Sequence, residues 1–315
     1  MPLFAEHRTV LLEPAVEQLA ICEDGLYIDA TFGRGGHSAA ILAKLGEKGR
    51  LIMIDKDPTA IAAAEQRFAN DQRVQIVQGS FTLIESFINA QQLTGQVNGI
   101  LLDLGISSPQ VDEASRGFSF MQDGPLDMRM DTTQGITAAE WLASVDEQVL
   151  ANALFTYGEE RLSRRIARTI CEQRQTQPLT TTLQLAELVK KIYPRPKPTQ
   201  RKRIHPATRT FQAIRIIINR ELEDLAIALK QSLSVLATGG RLVVISFHSL
   251  EDRIVKRFMR DKARGKDYPM HLPILEQDLG KQLKIVGGFI KPSDGEVQYN
   301  PRARSAVMRV AEKIA

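Results

Sequence analysis

The sequence predicts a doubly wound α/β fold, a parallel sheet interrupted by an all-helical insertion. Three features carry that expectation. Short apolar runs rich in Val, Ile and Leu alternate with helical patterns, as β-α units feeding a parallel sheet do. The alternation stops after Asp103, and no convincing strand follows until Arg241. Amphipathic helical patterns fill the interval and close in the Pro-rich segment Pro194–Pro206.

In chain order, strands are expected at Leu26–Ala30, Leu51–Asp55, Val74–Val77, Gly99–Asp103 and Arg241–Ser246. Helices between them fall at His37–Leu45, with Gly46 as C-cap, and at Thr59–Phe68. Ser115–Gly135 is dense in Gly, Asp, Met and Phe, follows neither period, and reads as a long loop. Ala138–Val145, Asp146–Phe155, Glu159–Gln173 and Leu183–Ile192 read as the helices of the insertion. Phe211, Ile214, Ile218, Leu222, Leu225, Leu229, Leu233 and Leu236 recur every three or four residues, which predicts one long helix over Ala207–Leu236. A last strand is expected at Ser305–Ala311. The boundaries that follow are 1–114 and 207–315 for the two parts of the α/β domain and 115–206 for the loop with the insertion.

At 315 residues and 43% hydrophobic content, the chain can build one large core, or one core with a second small one. Its 41 Lys and Arg exceed the 37 Asp and Glu, and the pI of about 9.0 favours a polyanionic partner. Cys22 and Cys171 stand far apart, without the spacings of a metal site, a redox pair or a disulfide framework, which fits a reducing compartment. Glu6, His7, Arg8, Glu13 and Glu17 interrupt the first twenty residues, so no signal peptide is read there. No segment approaches membrane-spanning length, and a cytoplasmic protein is expected.

The chemistry begins where the first strand ends, in Asp29-Ala30-Thr31-Phe32-Gly33-Arg34-Gly35-Gly36-His37. Glycines at a strand-to-helix turn permit positive φ and let a ligand approach backbone N–H groups. Asp55, nineteen residues beyond Gly36 at the end of the next strand, can accept both hydroxyls of a ribose. The pair points to an adenosine-containing cofactor. The glycines depart from the G-x-G-x-x-G spacing of dinucleotide enzymes, which favours S-adenosylmethionine. Phe81, after the third strand, is placed to lie against adenine or to be ordinary core.

The fourth strand ends in Asp103-Leu104-Gly105-Ile106-Ser107-Ser108-Pro109-Gln110. An exocyclic cytosine amine is a poor nucleophile because its lone pair is conjugated with the ring. A catalyst must hold it with acceptors and take its proton as the methyl arrives. Asp103, Ser108 and the carbonyls around Pro109 are groups of that kind. The Ser-Pro-Gln is a cousin of the Asp/Asn/Ser-Pro-Pro-aromatic motif of amino-group methyltransferases, without its second Pro and its aromatic residue. The competing reading of Asp103 is a strand-end cap.

These stretches, together with His7–Leu12, Arg116–Phe120, Gly124–Met130, His205–Arg215, Ser246–Asp252 and Asn300–Ser305, resemble the MraW/RsmH family of bacterial methyltransferases nearly end to end. The resemblance implies a Rossmann-like class I S-adenosylmethionine-dependent methyltransferase sheet with an inserted all-helical, substrate-recognition domain. It implies methylation of the N4 amine of a cytidine in the decoding region of 16S ribosomal RNA, with the small ribosomal subunit as the setting. Cofactor contacts carried over by position fall on Gly35, Gly36, His37, Asp55, Phe81, Asp103 and Gln110, beside Gly33 of the same turn.

The RNA side rests on charge placement. Eight Lys or Arg and no Asp or Glu lie between Arg195 and Arg220, among them Arg201, Lys202, Arg203 and Arg209. Arg161, Arg164, Arg165 and Arg168 repeat at helical spacing, as a solvated face or as a second phosphate-binding one. Ser115–Gly135 is read as a lid, with Phe118 and Phe120 stacking on an extruded base and Asp127 and Arg129 bracing it, or as a static loop. His248 is read as facing the substrate or as a satisfied core histidine. Trp141 and Tyr157 are read as insertion core. Two alternatives stay open: a DNA amino-methyltransferase, and a non-catalytic RNA-binding protein with a vestigial cofactor site. The sequence leaves the oligomeric state open between monomer and homodimer.

Overall fold

In a computed structural model, which describes residues 9–194, 205–266, 275 and 279–315, the chain divides into two compact units. The first comprises residues 1–105 and 222–315 and the second residues 106–221. The second is wider than the 115–206 span read from sequence, because the segments flanking that span pack with the helical core and not with the sheet.

The first unit runs α1 (Leu12–Gln18), β1 (Leu26–Asp29), α2 (Gly36–Leu42), β2 (Arg50–Asp55), α3 (Pro58–Phe68), β3 (Val74–Gln78), a 3-10 turn (Phe81–Leu83), α4 (Ile84–Ala90) and β4 (Val97–Asp103). Its strands pair in the order β3-β2-β1-β4, all parallel. The chain winds outward from β1 to β3 and returns on the far side of β1, so strand order reverses between β1 and β4. In open α/β sheets, ligands bind beyond the carboxyl ends of the strands at such a reversal.

The second unit contains α5 (Ser108–Asp112), a 3-10 turn (Ala114–Arg116), α6 (Ala138–Ser144), α7 (Glu147–Gly158), α8 (Ser163–Thr176), α9 (Thr182–Ile192) and α10 (Thr208–Asn219). The sheet resumes through α11 (Glu221–Val235), β5 (Leu236–Ser246), α12 (Ser249–Arg264), β6 (Leu283–Ile285), α13 (Asp294–Tyr299), a 3-10 turn (Pro301–Ser305) and β7 (Val307–Lys313). β5 adds parallel to β4, and β7 and β6 follow antiparallel, giving seven strands in the order β3-β2-β1-β4-β5-β7-β6.

Alternate residues of one strand feed opposite faces. Leu51, Met53, Leu101, Val243 and Ile245 pack with α1, α2 and α3. Ile52, Ile54, Ile100, Leu102, Leu242 and Val244 pack with α4, α11 and α12. Both faces are therefore buried, which explains why these strands read as unbroken apolar runs. Among the described residues, no helix is long and apolar enough to cross a membrane.

The expected long helix over 207–236 is two helices. Arg220 takes a left-handed conformation, φ 54°, and separates α10 from α11. The apolar period continues through the break because α10 and α11 each bury their own stripe. Directly before it, Asn219 fastens the 115–135 loop to α10: its Nδ2 donates to the Met128 carbonyl at 2.8 Å and its Oδ1 accepts the Met130 N–H at 2.7 Å. Asp127 and Arg129 form a bidentate pair, both contacts 2.8 Å, and Arg116 donates to the Arg129 and Met130 carbonyls. The loop is braced as expected, and it is ordered by side chains with no regular period.

Asn219→Ala strands two backbone groups at a largely buried site and is expected to cost roughly 2–4 kcal/mol. Denaturant titration followed by Trp141 fluorescence checks this, because Trp141 packs against the core of that unit.

Candidate active site

Three of the parallel strands end in carboxylates, Asp29 on β1, Asp55 on β2 and Asp103 on β4. Asp29 is fully buried and accepts the Ser38 hydroxyl at 2.6 Å and the Thr31 N–H at 3.3 Å. Burial pushes its pKa up to about 6. Asp55 accepts the Gly33 N–H at 2.7 Å on one oxygen and the Asp57 N–H at 2.8 Å on the other. Each oxygen keeps a lone pair for a further donor, the arrangement a vicinal diol needs. Burial, then the charges of Asp57 and Asp29, push Asp55 up to about 6.

The turn between β1 and α2 is shaped by its glycines in two different ways. Gly33 and Gly35 have φ of 56° and 74°, a region side chains rarely adopt. Gly36 has ordinary φ; a Cβ there would stand 1.7 Å from Thr9 Oγ1, so its smallness is taken up by packing against the chain's own N-terminal segment. Phe32 anchors the turn, buried and edge-on to Phe68 with ring centroids 6.1 Å apart.

Asp103 donates its N–H to Thr31 Oγ1 at 2.7 Å, which ties the β4 end to the turn. Its Oδ2 lies 3.7 Å from Nδ1 of His37 in the first turn of α2, while its Oδ1 and His37 Nε2 are buried without a hydrogen-bond partner. Burial, then the charges of Asp29 and Glu251, raise the Asp103 carboxyl well above the usual range. Burial lowers His37 to about 4, so the imidazole is neutral. Each of these two buried polar atoms is open to a further hydrogen bond.

Beside these, Phe81 opens the 3-10 turn after β3, half-buried, with Lys56 Nζ 5.9 Å from its ring centroid. Asp224 of α11 accepts Lys56 Nζ at 2.5 Å and the Ser80 hydroxyl at 2.9 Å. It thus binds the ends of β2 and β3 together. Sequence reading misses Asp224 because 168 and 144 residues separate it from its partners; only the sheet order brings them together.

The remaining expected residues are placed differently. Ser107 and Gln110 form a capping box for α5, with the Gln110 side-chain Oε1 accepting the Ser107 N–H at 2.9 Å, and Pro109 stands at the helix start. Ser108 and Gln110 are both buried. His248 caps α12: Nδ1 accepts the Glu251 N–H at 3.4 Å, and Nε2 lies 3.1 Å from Glu251 Oε1 without hydrogen-bond alignment. His248 is thus a helix cap through Nδ1, while its buried Nε2 is open to a further partner. Phe118 is 8% exposed inside the second unit's core, so its ring has no open face and it leaves the set of base-stacking candidates. Phe120 packs on His205 and Phe211, centroids 4.6 and 4.8 Å away, which occupies it likewise. Arg209 is exposed and donates to the Glu159 carbonyl at 3.1 Å. Arg201, Lys202 and Arg203 lie outside the described residues. Trp141 and Tyr157 pack against the core of the insertion, as expected.

A sheet of this order, with a glycine turn after β1 and carboxylates ending β1, β2 and β4, is that of a Rossmann-like class I S-adenosylmethionine-dependent methyltransferase. The chain belongs to the MraW methylase family, whose model it matches over residues 4–314. Among solved structures it is similar to a Clostridium thermocellum protein described as a candidate rRNA methylase (12% identity, 98% of each chain, TM-score 0.46). It is similar also to an rRNA methylase from Streptococcus thermophilus (10% identity, 96% of this chain and 92% of that one, TM-score 0.42). A third is a candidate methyltransferase from Streptococcus mutans, solved with S-adenosylhomocysteine (13% identity, 98% and 100%, TM-score 0.42).

The residues present fit the cofactor, S-adenosylmethionine. Its ribose suits the two open acceptors of Asp55, its adenine the ring of Phe81, and its sulfonium and ammonium the acidic ends of β1 and β4.

Asp55→Asn is expected to weaken cofactor binding roughly 10- to 100-fold, by removing charge-assisted hydrogen bonds. Without cofactor the same change is expected to relieve a cost. Because the folded-state pKa of Asp55 lies above the unfolded one, its contribution is fully present below pH 4 and is lost as pH rises through 6. His37 runs the other way, losing stability as pH falls from 6.5 towards 4. Thermal melts of wild type and Asp55→Asn should diverge between pH 4 and 6, in favour of the variant. Asp224→Asn is expected to raise the cofactor KM roughly five- to twentyfold with kcat within twofold, since it positions the adenine end and not the reacting atoms; Asp224→Glu should recover part of the loss in the same steady-state assay.

Proposed function

We propose that the protein transfers a methyl group to the exocyclic N4 amine of a cytidine in the decoding region of 16S ribosomal RNA, cytidine 1402 of that molecule, in a cytoplasmic setting. Family membership supports the methyl transfer, and the base and its position rest on the resemblance of the motifs to that family. The observation that carries the chemistry is Asp103, a carboxyl of raised pKa with one buried oxygen left without a partner.

When bound, S-adenosylmethionine supplies an electrophilic methyl group. Everything else is done by the chain. Asp55 and Phe81 orient the nucleoside end, and the turn at Gly33–Gly35 closes against Asp55 through the Gly33 N–H. Asp103 accepts a hydrogen bond from the substrate amine, which localises the nitrogen lone pair, and takes the amine proton as the new N–C bond forms. Its raised pKa makes it the stronger base. Neutral His37, 3.7 Å away, does not lock the carboxylate in an ion pair. Ser108 and the carbonyls around Pro109, which follow Asp103 directly in the chain, are the proposed further acceptors for the amine. The 195–220 run is the proposed phosphate contact.

The test is methyl transfer from labelled S-adenosylmethionine to small ribosomal subunits, naked rRNA and DNA in parallel, with nucleoside analysis of the product. Label is expected as N4-methylcytidine in rRNA, and Asp103→Asn is expected to lower kcat roughly 10²- to 10⁴-fold. Label in DNA would replace this reading with the DNA-modifying one, and a fully active Asp103→Asn would remove Asp103 as the base.

A further inference from the structure

α8 divides its residues by face. Ser163, Ile166, Ala167 and Ile170 are buried, while Arg164, Arg165 and Arg168 are exposed, and Arg161 is exposed in the turn before the helix. At 3.6 residues per turn, Arg164, Arg165 and Arg168 fall within about a third of the helix circumference, and Arg161 precedes them in the adjoining turn.

Charge on a helix surface is commonly offset by a carboxylate three or four residues away. Here Arg161, Arg164 and Arg165 have no ion-pair or hydrogen-bond partner among the described residues. Arg168 has only Glu147, at 3.8 Å, with both side chains well exposed, a contact of little strength. Elsewhere, Arg73, Arg129, Arg215 and Arg309 are each held by two contacts to one carboxylate. Arg164 and Arg165 also stand in the first turn of α8, which holds no acidic residue and where the helix dipole disfavours cations. The stripe therefore does not serve the stability of the helix. Glu172, one turn beyond Arg168, is the only acid that continues this face of α8. Phe155, in the last turns of α7 before the connection to α8, is 65% exposed.

We propose that this face of the second unit docks the sugar-phosphate backbone of RNA, the four guanidiniums taking phosphates and Phe155 offering its ring to a base. The inference rests on the rRNA reading above and adds the arginines of α8 and its preceding turn to the basic residues of the 195–220 run. Guanidiniums left without carboxylates suit phosphates, and an exposed aromatic on the neighbouring helix α7 suits a nucleobase better than an acidic peptide.

The test compares wild type with a variant carrying Arg161→Gln, Arg164→Gln, Arg165→Gln and Arg168→Gln. Binding to naked 16S rRNA and to purified small subunits is measured across a salt series, with melting temperature and S-adenosylmethionine affinity as controls. The variant is expected to keep both controls, to bind rRNA at least tenfold more weakly, and to show a salt slope shallower by about 2–4. The corresponding Arg→Lys set should keep the slope. Phe155→Ala should lower affinity roughly tenfold with the slope unchanged. Unchanged affinity and slope in the Gln variant would overturn the proposal. Loss on assembled subunits but not on naked rRNA would overturn it in favour of a protein partner. Failure of the wild type to bind rRNA at all would instead overturn the rRNA reading beneath it.

Discussion

Asp29, Asp55 and Asp103 end three neighbouring parallel strands, and among the described residues no lysine or arginine pairs with any of them. The rest of the site depends on that constraint. Parallel strands deliver their carboxyl ends to one edge of the sheet, so the three groups are brought near one another by topology. Burial raises all three pKa values, and the charge of Asp29 adds to the rise at Asp55 and Asp103. Stability is spent here to hold acidic groups ready for a ligand carrying positive charge, and backbone and hydroxyl donors such as Gly33 N–H and Ser38 Oγ keep them in place meanwhile.

Around this edge the chain uses side chains of long sequence separation to fix geometry. Thr31 holds the end of β4, Asp224 holds Lys56 and Ser80, and Glu251 is held within the cap of α12 by the Phe247 and His248 N–H groups. The second unit follows the same logic with its own core. Asn219, Arg116 and the Asp127–Arg129 pair, with a β-bridge between Pro125 and Thr181, order a loop that forms no helix or strand over 117–137. A segment so braced is positioned by its side chains, and Phe118 and Phe120 serve that bracing from the inside.

Much of the sheet is legible in the sequence, because fully buried parallel strands appear as short apolar runs with nothing polar to obscure their ends. Asp55 and Asp103 are legible for the same reason: each is the first charge after such a run. The break at Arg220 is not legible, since a left-handed Arg carries no Gly or Pro signal and Ile218 and Leu222 continue the period across it. Nor is the antiparallel edge of β6 and β7, whose pairing is set by contacts over long separations. Gly36 looks like a ligand-facing glycine until Thr9 is seen against it. Phe118 looks exposed because its neighbours are polar, yet the helices that bury it lie up to about a hundred residues away along the chain.

The central claim is that a cationic cofactor lowers the raised pKa values of the strand-end carboxyls, so that protons still bound near pH 6 leave as it binds. Isothermal titration calorimetry of S-adenosylmethionine at pH 6, in buffers of different ionisation enthalpy, measures this directly. The account predicts net proton release on binding and an affinity that rises with pH up to about 6, both reduced in Asp103→Asn. Binding with no proton release, and with affinity flat across that range, would contradict it.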